Sequence, residues 1–122
     1  MGLTARHLEA NGIPTVVVGS ARDVIEHCGV PRFLFTDFPL GNSCGRPYDA
    51  AMQHAIVGQA LDLLEHATMP RTTVQSPAVW GEDHGWRSRF LAVTEENRET
   101  LRRVGEARRR QRAEDKAANR IR

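Results

Sequence analysis

The sequence predicts an α/β fold: a small parallel sheet of βα units, incomplete without a strand from a partner chain, followed by a basic C-terminal helix. Three observations predict it. Two runs, Ile13 to Val18 and Arg32 to Thr36, are apolar or β-branched almost without interruption, which suits strands buried on both faces. Helical stretches with short connections separate the candidate strands, the pattern of parallel crossover units. Charge then divides the chain: residues 95–122 carry ten Lys/Arg against six Asp/Glu, a local +4, while the other 94 residues carry seven against nine, a local −2. The organisation expected is an α/β domain over residues 1–79 and an aromatic segment with a basic helical tail over residues 80–122.

Leu3 to Ala10 reads as a helix with Leu3, His7, Leu8 and Ala10 near one face, stopped by Asn11-Gly12. The first strand follows, with Pro14 at its beginning, where a missing N–H does little harm. Ser20 is the expected N-cap of a short helix over Ala21 to His27, with Asp23 in its first turn. After the second strand, a Gly- and Pro-rich loop runs from Asp37 to Tyr48. Asp49 caps the longest helix, whose apolar stripe is Met52, Ile56, Ala60, Leu63, Leu64 and Ala67. Met69-Pro70 breaks it, and Thr72 to Gln75 forms a short third strand. Beyond, Trp80, Trp86, Phe90, Leu91 and Val93 stand as apolar anchors among Glu82, Asp83, His84, Arg87 and Arg89. Thr94 caps a helix that opens with Glu95-Glu96, carries Leu101 and Val104 as its last apolar stripe, and keeps only alanines and Ile121 beyond Ala107. A leading helix in such folds normally follows a strand, so the sequence looks cut, or its sheet is expected to be completed by another chain.

Several function classes are set aside by composition. No apolar run approaches the ~20 residues of a membrane span, and the first nine residues are too charged for a signal peptide. Cys28 and Cys44 cannot build a disulfide framework, which points to a reducing, cytoplasmic location. His7, His27, His54, His66 and His84 show no metal-ligand spacing; His54 and His66, twelve apart on one helix, lie about 18 Å from each other. No dinucleotide or phosphate-loop fingerprint occurs, so no cofactor is expected. Arg108, Arg109, Arg110 and Arg112 are interleaved with Glu99, Glu106, Glu114 and Asp115, which favours a solvated, salt-bridged helix over nucleic-acid binding.

Ligands of open parallel sheets bind beyond the carboxyl ends of the strands. Two loops hold that position here: Gly19-Ser20, and the stretch from Asp37 to Asp49. The candidate substrate-binding residues are Ser20, Gly41, Asn42, Ser43, Cys44 and Arg46, which combine hydroxyls, an amide, a thiol and a cation with glycines that admit unusual backbone angles. The free N–H groups at the start of the following helix suit a carboxylate or phosphate. Equally, the glycines and prolines serve to turn the chain, and the loop is then structural. Cys44, near a helix start, is a candidate thiol nucleophile without an identified base; Cys28 reads as a packed side chain.

The stretch Ala5-Arg6-His7-Leu8-Glu9-Ala10-Asn11-Gly12-Ile13-Pro14-Thr15-Val16 resembles the helix–turn–strand that follows the active selenocysteine in protein B (selenoprotein B) of the glycine, sarcosine and betaine reductases. Val30-Pro31-Arg32, Phe38-Pro39-Leu40-Gly41-Asn42, the helix from Asp49 and Arg71-Thr72-Thr73-Val74 continue the resemblance, which covers roughly residues 3–76. It implies reductive cleavage of a carbon–nitrogen bond in a small amino acid or betaine, with a selenol or thiol taking the carboxymethyl group and passing it to a partner selenoprotein. The family's nucleophile precedes the helix that begins here at Leu3, where this sequence has Met1 and Gly2 and no cysteine. The expectation is therefore a reductase-like subunit, inactive alone, that shapes a site for a small molecule while another chain supplies the missing strand and nucleophile. The alternative is a non-catalytic partner subunit that binds or stabilises another protein.

Overall fold

A computed structural model describes residues 1–81, 85–90 and 92–119. Glu82, Asp83, His84, Leu91 and Ile121, named above, lie outside the described residues. The chain divides into two units, Met1–Ser88 and Arg89–Arg122.

The first unit is α/β, as the sequence predicts. Its elements are α1 (Gly2–Ala10), β1 (Val17–Gly19), α2 (Arg22–His27), β2 (Arg32–Phe35), α3 (Ala50–His66) and β3 (Thr72–Gln75). The strands form an open sheet in the order β1-β2-β3, parallel throughout, with Val17 opposite Phe33, Val18 opposite Leu34 and Leu34 opposite Val74. Side chains alternate across the sheet, because successive residues of a strand face opposite ways. Leu34 turns to α3 and is buried with Phe38, Ile56, Ala60 and Leu63; Val16, Val18 and Trp80 pack on this cluster. Phe33 turns the other way and is buried with Ala5 and Val30, flanked by Val17, Ile25, Cys28 and Phe35. The apolar stripe expected on α3 therefore is its buried face, and Asp49 caps the helix by accepting the Met52 N–H at 3.1 Å.

Two expectations shift. The first strand pairs only over Val17–Gly19 rather than from Ile13. Pro14 has no N–H, and the Thr15 N–H is taken sideways by the Glu9 carboxylate at 2.7 Å, so neither feeds a ladder. Glu9 also receives Arg32 at 2.8 Å, which ties the end of α1 to the start of β2. Secondly, Ser20 does not cap α2: Ala21 holds the N-cap position without a side-chain bond, because the turn out of β1 runs one residue further.

Beyond β3, α4 (Trp86–Arg89) is a single helical turn and Arg87 pairs with Asp37. The second unit is built on α5 (Glu95–Asn119), 25 residues and about 37 Å long. Thr94 and Asn97 cap it reciprocally, each side chain accepting the other's backbone N–H, at 3.3 and 2.8 Å. Leu101 and Val104 are exposed, and the helix surface carries ion pairs such as Glu95–Arg98 and Glu99–Arg103. Among the described residues, no helix is long and apolar enough to cross a membrane.

Candidate functional site

At the carboxyl end of β1 a cavity of about 510 Å³ opens between β1, the first turn of α1, α2 and the loop after β2. Among the described residues β1 has a strand neighbour on one side only, and its residues Val17, Val18 and Gly19 line the cavity. The cavity therefore runs along an unpaired strand edge, whose free backbone groups are hydrogen-bonding partners for whatever lies beside it.

Local sequence explains how three elements meet here. Gly2 places the start of α1 against α2, since a Cβ at that position would fall 2.7 Å from the Cβ of Cys28. Gly19 lets α2 close onto β1: a Cβ there would sit 2.3 Å from Cδ1 of Ile25. Met1 provides no side-chain cap, so the first N–H groups of α1, at its positive dipole end, face no acceptor of their own helix. The loop after β2 takes its course from Gly41, held at φ 94°, and from Gly45, at φ 115°.

Thr36 fixes this loop to β1. It is fully buried; its N–H donates to the Gly19 carbonyl at 3.0 Å and its hydroxyl donates to the Ser43 carbonyl at 2.9 Å. With that proton committed, the contact of 3.4 Å between the Ser20 and Thr36 hydroxyls has Ser20 as donor. The sequence alone places Thr36 at a strand end. Its signal was a lone polar residue closing an otherwise apolar run beside the loop.

Of the six predicted site residues, the structure brings Ser20, Gly41 and Ser43 to the cavity. Asn42, Cys44 and Arg46 lie off it. Cys44 is exposed. The Arg46 guanidinium donates twice to Asp49, at 2.9 and 3.2 Å, and once to the Trp80 carbonyl at 3.5 Å. Arg46 thus steadies the cap of α3. The Met52 N–H first, and then Arg46, hold the Asp49 carboxyl below its usual range. Cys28, read as merely packed, packs on the Ala5–Val30–Phe33 cluster and also lines the cavity. The signal for it was its place at the end of α2, opposite a glycine at the start of α1. Chemically, the cavity offers the serines Ser20 and Ser43, backbone N–H groups at a helix start and apolar walls from Val24 and Ile25, a setting for a small anionic or zwitterionic molecule.

Comparison with known proteins gives one point of contact. The chain is similar to D-proline reductase subunit gamma of Acetoanaerobium sticklandii, 33% identical over 54 residues, which make up 44% of this chain and 22% of that protein. The match thus spans under a quarter of the relative's length and is a partial homology to a reductase subunit. No family model matches the chain. No solved structure matches it.

Proposed function

We propose that this chain is a subunit of a reductase acting on a small amino acid or betaine, in the manner of protein B of the glycine, sarcosine and betaine reductases. The cavity at the open edge of β1 carries the proposal: Ser20, Gly41 and Ser43 gather there around the first turn of α1. On this reading another chain adds a strand along β1 and presents a selenol or thiol at that turn, where the helix dipole favours the anionic form. Substrate carboxylate is held by the backbone N–H groups at the start of α1. The residues supply shape and orientation, and the partner supplies the nucleophile. The partial homology to D-proline reductase subunit gamma supports a reductase-type subunit and does not specify the substrate.

The test is the native mass of the assembly from its own cells, with each co-purifying chain identified, followed by reductive cleavage assays of complex and isolated chain. D-proline, glycine, sarcosine and betaine are the substrates to try. Activity that requires both this chain and a partner bearing a cysteine or selenocysteine turn supports the proposal. A chain that runs alone, with no activity restored by any partner, replaces it with a non-catalytic binding role.

A further inference from the structure

The opposite end of the sheet holds a second feature, distinct from the cavity above. All strands run parallel, so Arg32 of β2 and Thr72 of β3 open at the end farthest from Ser20 and Ser43. A depression of about 620 Å³ there is lined by Arg6, His7 and Arg71, with Leu3, Pro31 and Pro70 among its walls. A smaller one of about 230 Å³, lined by Arg32, shares Glu9, Pro31 and Pro70 with it. Arg6, His7 and Arg71 thus border the larger hollow and Arg32 the adjoining one, against a single carboxylate, Glu9.

That carboxylate is already committed. Glu9 accepts Arg32 at 2.8 Å and the Thr15 N–H at 2.7 Å. The Arg6 and Arg71 guanidinium groups make no hydrogen bond or ion pair with any described residue. Of the carbonyls ending α1, those of His7, Leu8 and Glu9 are bonded by the Asn11, Gly12 and Ile13 N–H groups and the Asn11 amide. Arg32 flanks the hollow without reaching into it: its Nη1 is held by Glu9 and its Nε is sealed from solvent.

Backbone geometry holds the cations in place. Arg71 adopts φ 58°, a conformation that non-glycine residues rarely take, and lies across Gly29, itself at φ 64°. A Cβ on Gly29 would come within 3.3 to 3.4 Å of the guanidinium, so only a glycine leaves that surface flat.

We infer that this hollow is a binding site for a small anion, a phosphate or carboxylate group, held by Arg6 and Arg71. Arginine forks match the oxygens of both groups, and the apolar walls accommodate an attached carbon skeleton. The site is independent of the proposed reductase role and stands or falls separately.

The experiment is amide-resolved NMR titration of the full chain with inorganic phosphate and, separately, with malonate, each at constant ionic strength set with chloride. Saturable shifts at Arg6, His7, Gly29 and Arg71, in the millimolar range or tighter, are expected for at least one probe. Phosphate alone identifies a phosphate site, malonate alone a carboxylate site, and either supports the inference. Arg6→Gln, on an exposed position of α1, is expected to weaken binding about tenfold without altering the fold, and Arg6→Gln/Arg71→Gln to abolish it. Shifts that do not saturate, that chloride reproduces, or that survive in the double variant overturn the inference.

Discussion

Replacing Thr36 by valine removes one hydroxyl from a buried position and leaves the shape of the side chain intact. Thr36 is 0% exposed and its hydroxyl is the donor to the Ser43 carbonyl at 2.9 Å. Without it the carbonyl loses its partner, at a cost of about 1–3 kcal/mol for a buried group. Ser43 is half-buried, so water recovers part of that, and a loss of about 1.5 kcal/mol is expected. For a folded unit of this size the loss lowers Tm by roughly 6–12 °C. Urea unfolding measures the stability, and hydrogen exchange of the amides at 41–45 measures the loop. Thr36→Ser is the control: it keeps the donor and loses a buried methyl group, worth about 0.8 kcal/mol. Both variants are destabilised, and only Thr36→Val exchanges faster at 41–45. Equal loop exchange in the two variants, or a Thr36→Val as stable as the parent, refutes the hydroxyl as the tie between loop and strand.

Two further predictions concern the packing around β1 and α1. Arg32, hydrogen-bonded to Glu9, and then the Thr15 N–H, hold the Glu9 carboxyl below its ordinary value of 4.5, with partial burial opposing them. A lowered folded-state pKa stabilises fully above the unfolded value and is lost as pH falls through the folded one. Urea midpoints are therefore expected to fall as the pH is taken below about 4.5, and Glu9→Gln to be less stable at neutral pH with a shallower acid limb. Gly19→Ala places a methyl 2.3 Å from Cδ1 of Ile25 and costs about 1–3 kcal/mol by overpacking; Ile25→Val deletes that carbon, and a double-mutant cycle should recover a substantial part of the loss.

The parts of the fold that follow from periodicity were legible in the sequence. The runs around Val17 and Phe33 and the stripe Ile56–Ala60–Leu63 announce buried faces by spacing alone. The boundary of β1 was not legible, because it depends on Glu9 reaching six residues onward to the Thr15 N–H, a tertiary choice that no local pattern encodes. The site was half legible. Position after a strand end places Ser20, Gly41 and Ser43 at one cavity. It cannot show that Arg46 turns to the cap residue Asp49 instead, since the loop path is set by left-handed turns at Gly41, Gly45 and Tyr48. The basic hollow was illegible for a simpler reason. Arg6, Arg32 and Arg71 are far apart in sequence, and only the parallel register brings the ends of α1, β2 and β3 together.

Each face of the sheet holds a buried cluster, and the apolar residues left exposed beside the open edge of β1 bear on the proposed assembly. The α3 face closes over Leu34, Phe38 and Ile56, each at most 2% exposed. On the side of α1 and α2, Met1, Leu3, Val24 and Leu40 are 98, 73, 59 and 56% exposed, and Met1, Val24 and Leu40 line the same cavity as the open edge of β1. Apolar side chains beside unpaired backbone groups are what an added strand buries: ladder bonds satisfy the edge while the side chains leave water. The residues that would be covered by such a strand are also those that shape the cavity. On the proposed reading, then, docking of the partner and formation of the substrate site are one event. Substitutions such as Val24→Asp are expected to weaken assembly and activity in proportion, whereas a change confined to the α3 face acts through folding alone.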